Sequence, residues 1–519
     1  MRNDWRRTIV AAGMMAMAMS ITATGTAKPA LTESGALGGV RNDGLTAYLG
    51  VPYAAPPVGE LRWREPQRVA SWTGTRKGRS FAPACPQKGV SMPGEDPPAT
   101  SEDCLYLNVW TPAKIANERL PVLVWIHGGG YTNGSTAMPL YAGDKLAQRG
   151  IVVVTIAYRL GPLGFLAHPA LTAESANKSS GNYGLLDQIA ALEWIQRNIA
   201  AFGGDPGRVT IAGQSAGAMA VSMLMASPLA TGLFHQAIGQ SGGLFEPVQL
   251  APQYLLPNAE RDGKDYVASL GATSIAELRK RPLEDLLGGK AGQISHPVVG
   301  DRVLPVSPYD ALASNAYNNV PVLVGFNAEE ARALVDVSPV KSATFAADIE
   351  RSFGALPPPL IDAYPFTTDA QARQARLDFE RDLRFGWDMW TWARLLAKRG
   401  SAHLYYFEKT PPFPSGSVRQ GWGASHFAEL WYMFDHLDQE KWDWSASDRQ
   451  LARTMAQYWV NFVRSGNPNG KDLPAWPRFE GKEVLRLGDA IVVGSVPNAD
   501  KLQVFDSVYD AVRGKPFGK

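Results

Sequence analysis

Val209-Thr210-Ile211-Ala212-Gly213-Gln214-Ser215-Ala216-Gly217 is a short apolar run ending on a serine between two glycines. The small-residue stretch Ala218 to Ala226 follows and is closed by Pro228. Strand, tight turn and helix in that order make a nucleophile elbow, in which a sharp turn lifts a serine hydroxyl above a sheet. The pattern alone is weak evidence, because 51 of 519 residues are glycine and chance matches are expected. A second match exists at Gly239-Gln240-Ser241-Gly242-Gly243. Ser241 follows a possible strand, Gln236 to Gly239, but precedes Leu244-Phe245-Glu246-Pro247, which starts no helix. Context therefore selects Ser215 as the nucleophile and leaves Ser241 as a strand end passing nearby.

The fold class follows from what surrounds the elbow. Pro121 to Ile126 and Ile151 to Tyr158 are continuous apolar runs of strand length, and Pro321 to Gly325 is a shorter one. Runs without polar alternation suit strands buried on both faces of a mainly parallel sheet. Between the second run and the elbow, Leu185, Ile189, Leu192, Ile195 and Ile199 recur at helical spacing, stopped by Phe202-Gly203-Gly204. Strand, helix and strand in series give an α/β class with a large, mostly parallel central sheet flanked by helices. Residues 250–287 and 342–399 read as helical insertions. With no repeat or linker in view, residues 28–519 are expected to form one domain.

A serine that transfers acyl groups needs hydrogen-bond donors for the developing oxyanion, each worth about 10²–10³ in rate. His127-Gly128-Gly129-Gly130 follows the strand ending at Ile126, and its bare backbone suits that task.

Composition narrows the setting. Arg2, Arg6 and Arg7 precede an uncharged run from Thr8 to Thr24 and the small residues Gly25-Thr26-Ala27. That is the pattern of a signal peptide over residues 1–27, for Sec or twin-arginine export to the periplasm or the medium. An uncleaved anchor is the alternative. Without these residues the chain carries 48 basic and 48 acidic side chains. Neutrality without charge runs argues against nucleic-acid binding and stable membrane association. Cys85 and Cys104 are the only cysteines. In an exported chain they read as one disulfide, with two free buried thiols as the alternative, and they cannot complete a metal shell.

Further motifs make the chain resemble the type-B carboxylesterase family, which includes cholinesterases and bacterial p-nitrobenzyl esterases. They are Gly59–Pro66 (GELRWREP), Glu102–Trp110 (EDCLYLNVW), Trp125–Gly130 (WIHGGG), Asn182–Gln188 (NYGLLDQ) and Phe202–Pro206 (FGGDP). Gln214–Gly217 (QSAG), Val324–Glu330 (VGFNAEE) and Gly423–Phe434 (GASHFAELWYMF) complete the set, in the family's order. The resemblance implies an α/β-hydrolase fold, a small-molecule ester as substrate, and no cofactor or metal. It assigns Ser215 as nucleophile, Glu330 as acid and His426 as base. It also assigns Gly129, Gly130 and Ala216 as oxyanion donors, and Cys85 with Cys104 as the first disulfide loop. Glu329 is the rival to Glu330, which motif register favours.

Three departures bear on substrate. Residues 86–103 lack the aromatic that holds a quaternary ammonium in cholinesterases. Gln214 stands where a glutamate is common, and Ala331 where glycine follows the acid. A choline-selective enzyme is not expected. Trp387, Trp390 and Trp392 read either as core or as lining of an acyl pocket. Two competing readings remain open: the same machinery acting on amide, carbamate or lipid esters, and a non-catalytic adhesion-type relative, against which all three triad positions are filled.

Overall fold

A computed structural model describes residues 25–515 except 27, 91 and 399, with Gly25 and Thr26 as backbone only. The leader read over residues 1–27 therefore lies outside the described residues, apart from the two-residue strand Gly25–Thr26.

Among the described residues, twelve strands form one sheet. Its centre is parallel, in the spatial order Val152–Ile156, Leu120–Ile126, Gly204–Gln214, Gln236–Gln240, Val322–Asn327, Ala402–Phe407 and Glu483–Leu487. Antiparallel strands extend both ends. Tyr106–Thr111, Leu45–Pro52, Val40–Asn42 and Gly25–Thr26 lie beyond Val152–Ile156, and Ile491–Ser495 lies beyond Glu483–Leu487.

The apolar runs are continuous because both sheet faces are covered. Val122, Val124 and Ile126 enter one core with Leu185, Ile189, Leu192 and Val221. The alternate residues Leu123 and Trp125 enter the opposite core with Leu451, Met455 and Trp459. The first core thus takes helices Tyr183–Asn198 and Ala216–Ala226, and the second takes Ala446–Ser465. No face of these strands meets water, so none shows the alternation of a half-exposed strand.

The strand before the elbow is longer than its apolar run suggests. It spans Gly204–Gln214, with a register irregularity between Gly204 and Val209. Pro206 and Gly207 break the hydrophobic pattern there, which hides the strand's first half from a reading by periodicity. The insertions are helical, including Leu256–Ser269, Phe345–Phe353, Asp369–Arg381 and Trp387–Ala397.

Candidate active site

The singled-out segments gather at the carboxyl ends of neighbouring parallel strands, where open α/β sheets place their ligands. The glycine loop 128–130 follows Leu120–Ile126, Ser215 follows Gly204–Gln214, and Glu330 follows Val322–Asn327. His426 arrives on a loop before the short helix Leu430–Met433.

Ser215 sits at φ +58°, ψ −127°, outside the regions a side chain ordinarily adopts, and caps helix Ala216–Ala226. Its N–H donates to Gln240 O at 2.9 Å, which holds the turn against the adjacent strand. Only a residue without a side chain fits at 217, since a Cβ there would lie 2.1 Å from Ile126 O. Such strain persists where surrounding structure over-determines it, and the hydroxyl is left half-buried at a cavity wall.

The histidine is buried at 2% exposure, and its Nδ1 lies 2.6 Å from Glu330 Oε2. Glu330 Oε1 accepts Asn327 N–H at 2.7 Å, so both carboxyl oxygens are held. Phe385 stacks on the imidazole, with ring centroids 4.7 Å apart and planes 19° from parallel. Glu329 goes elsewhere: it accepts Ala424 N–H at 3.0 Å and pairs with Arg332 at 2.7 Å.

A third carboxyl lies behind the pair. Glu429 accepts Asn327 Nδ2–H at 2.6 Å and Gln240 Nε2–H at 3.2 Å. Burial, and then the neighbouring Glu330, push its pKa up to about 7.

Ser215, Ala216, Gly129, Gly130 and His426 all line one cavity of about 580 Å³, a size suited to a small organic ligand. The glycine loop turns at Gly129 (φ +105°), whose carbonyl accepts Thr132 and Asn133 N–H at 3.1 and 3.0 Å. His127 braces the loop from behind. Its ring stacks on Tyr158 at 4.5 Å, and Tyr158 OH donates to His127 O at 2.8 Å. Ser241, also at positive φ, is fully buried and stands outside the cavity lining.

The tryptophan cluster belongs to the core. Trp387 packs edge-on against Tyr509, Trp392 lies against Phe245, and none of Trp387, Trp390 and Trp392 lines the cavity. Phe385 from the same segment lines it instead.

Two carboxyls in the wall, Glu246 and Asp388, were not singled out in the sequence. Burial raises both, Glu246 raises Asp388 further, and Arg513 pulls both back. Nothing local announces them, since they come from a loop and a helix far apart in sequence. Among the described residues no group of His, Cys, Asp and Glu could hold a metal ion. Cys85 and Cys104 form a disulfide. Its loop reaches the turn that follows the glycine loop, where Gln87 exchanges hydrogen bonds of 2.7 and 2.8 Å with Gly134.

The chain matches known proteins over most of its length. The Carboxylesterase family model matches residues 27–505. A fumonisin B1 esterase of Sphingopyxis macrogoltabida is 40% identical over 483 residues, covering 89% of this chain and 87% of that protein. The para-nitrobenzyl esterase of Bacillus subtilis (strain 168) is 32% identical, covering 91% and 97%. A solved PNB esterase superposes with a TM-score of 0.79 at 31% identity, covering 92% of this chain and 99% of that one. The fold is thus that of the α/β-hydrolases, and the chain belongs to the carboxylesterase family as a serine carboxylic-ester hydrolase.

Proposed function

We propose that Ser215 is the nucleophile of this esterase, with His426 as general base and acid, Glu330 as its orienting partner, and Gly129, Gly130 and Ala216 as oxyanion donors. The observation that carries the reading is the 2.6 Å contact between His426 Nδ1 and Glu330, beside a strained serine in one cavity. Glu330 holds the proton on Nδ1, which leaves the Nε2 lone pair as the base.

In acylation Ser215 Oγ bonds to the ester carbonyl carbon while its proton passes to His426 Nε2. The carbonyl π pair moves onto oxygen, facing the N–H groups of Gly129, Gly130 and Ala216. That pair returns, the C–O bond to the alcohol breaks, and the alcohol leaves with the Nε2 proton. Water repeats the sequence on the acyl-enzyme, releasing the acid and restoring Ser215 Oγ–H.

The substrate is a small-molecule ester. The likeness to a fumonisin B1 esterase and to p-nitrobenzyl esterases makes fumonisin B1 and p-nitrobenzyl esters the first compounds to assay. We further read residues 28–519 as one catalytic domain behind a leader over 1–27 that exports it to the periplasm or medium. The disulfide suits an oxidising compartment, and among the described residues no helix is long and apolar enough to cross a membrane.

The test is kcat/KM on such a panel for wild type and His426→Ala. A loss of about 10³-fold or more on every hydrolysed ester is expected. Unchanged turnover in the variant would remove His426 from the mechanism.

A further inference from the structure

Glu246 and Asp388 share a cavity wall with Ser215 and His426. Asp388, on helix Trp387–Ala397, is buried at 2% exposure, and Glu246 is half-buried on the loop after strand Gln236–Gln240. The missing side chain at Gly243 leaves room for the aspartate, since a Cβ there would lie 3.0 Å from Asp388 Oδ2. Main-chain N–H groups of Phe245 and Glu246 face the two carboxyls, but no side chain among the described residues donates a hydrogen bond to either.

The cations nearby are engaged elsewhere. Arg513 acts on both carboxyls from a distance, but its guanidinium lies over the Tyr309 ring at 3.5 Å and donates to Phe245 O. Among the described residues it makes no ion pair with Glu246 or Asp388. Arg384, the cation in the cavity wall, is held by Glu380 at 2.7 Å. The other titratable groups facing the pair are Tyr254 and Tyr509, whose phenols burial keeps neutral. Two carboxyls thus meet the substrate's space with acceptor positions open and no protein cation in contact.

From this geometry we infer that Glu246 and Asp388 are specificity-determining residues that receive a primary ammonium group of the ester substrate. The inference rests on the triad reading above, which makes this cavity the substrate's. A primary ammonium carries three N–H donors, enough to serve both carboxylates at once. A quaternary ammonium offers none. Burial raises both carboxyls and Glu246 raises Asp388 further, so the pair resists carrying two negative charges unaided. A cation between them offsets that cost and lets both ionise.

The experiment measures kcat/KM at about pH 7.5 on two matched pairs of esters. Methyl 6-aminohexanoate is compared with methyl heptanoate, and 4-aminobutyl benzoate with pentyl benzoate. The ammonium, ionised at that pH, is thereby carried once on the acyl side and once on the alcohol side. Where a pair is not turned over, the ratio is read from Ki values against p-nitrophenyl acetate. A ratio of charged to uncharged ester within one preparation does not depend on the fraction that folds. In the Glu246→Gln, Asp388→Asn double variant the preference for the charged ester should fall by about tenfold or more in at least one pair, the size of one lost charge-assisted hydrogen bond. A smaller change in both pairs would overturn the inference. Failure of the triad reading shows separately, as turnover of p-nitrophenyl acetate surviving in Ser215→Ala.

Discussion

His426 Nδ1 and Glu330 Oε2 stand 2.6 Å apart with both side chains out of solvent, while the adjacent Glu329 is turned toward Arg332 and the backbone of Ala424. One residue of register decides which carboxylate meets the imidazole. Glu330→Gln can no longer accept from Nδ1–H without turning its amide, and kcat is expected to fall by about 10³–10⁴-fold. Glu329→Gln removes a half-exposed ion pair and should cost less than about tenfold. Steady-state kinetics on one ester decides; equal losses would contradict the assignment.

Glu429 makes stability depend on pH. Its folded-state pKa, about 7, lies above the ordinary 4.5. Its contribution is therefore fully present below about 4.5 and is lost as pH rises through 7. The loss is on the order of 3 kcal/mol at 1.36 kcal/mol per unit. Glu429→Gln lacks this dependence. The stability advantage of wild type over the variant should shrink by that order between pH 4 and pH 8 in urea titrations. A constant difference would show that the carboxyl does not titrate there.

Two glycines in the site should respond differently to a methyl group. At Gly217 a Cβ would lie 2.1 Å from Ile126 O, so Gly217→Ala should cost more than about 4 kcal/mol or abolish folding. At Gly130 the near neighbour is Thr132 Oγ1 at 3.8 Å, and the cost is confined to φ +61°, about 1 kcal/mol. Thermal melts of the two variants check the order.

The Cys85–Cys104 bond closes a loop that is hydrogen-bonded, through Gln87, to Gly134 just after the glycine loop. Replacing both cysteines by alanine should lower stability by about 3 kcal/mol, as expected for a loop of this size. Urea midpoints under oxidising conditions measure it, and an unchanged midpoint would mean the loop is held by its other contacts.

What could be read beforehand was local. Val122 to Ile126 show their burial as an unbroken apolar run, and Ser215 shows its turn through flanking glycines and a following helix. Ser241 was separable from it for the same reason, since no helix follows. The strands Val40–Asn42 and Leu45–Pro52 are antiparallel and carry a weaker pattern, so the sheet is wider than its parallel centre suggests. Glu429 lies three residues after His426 in the same motif, whereas Glu246, Asp388 and Phe385 reach the cavity only through packing of distant segments. Nothing in their neighbours along the chain distinguishes such residues from solvated or core ones. Trp387, Trp390 and Trp392 show the converse: they share a segment with the cavity-lining Phe385, yet all three pack into the core.

The central claim is that Ser215, and not the equally patterned Ser241, forms the acyl-enzyme. Fluorophosphonate labelling of wild type, Ser215→Ala and Ser241→Ala tests it most directly. Loss of labelling in Ser215→Ala with labelling kept in Ser241→Ala is the expected result. Retained labelling in a folded Ser215→Ala would contradict it.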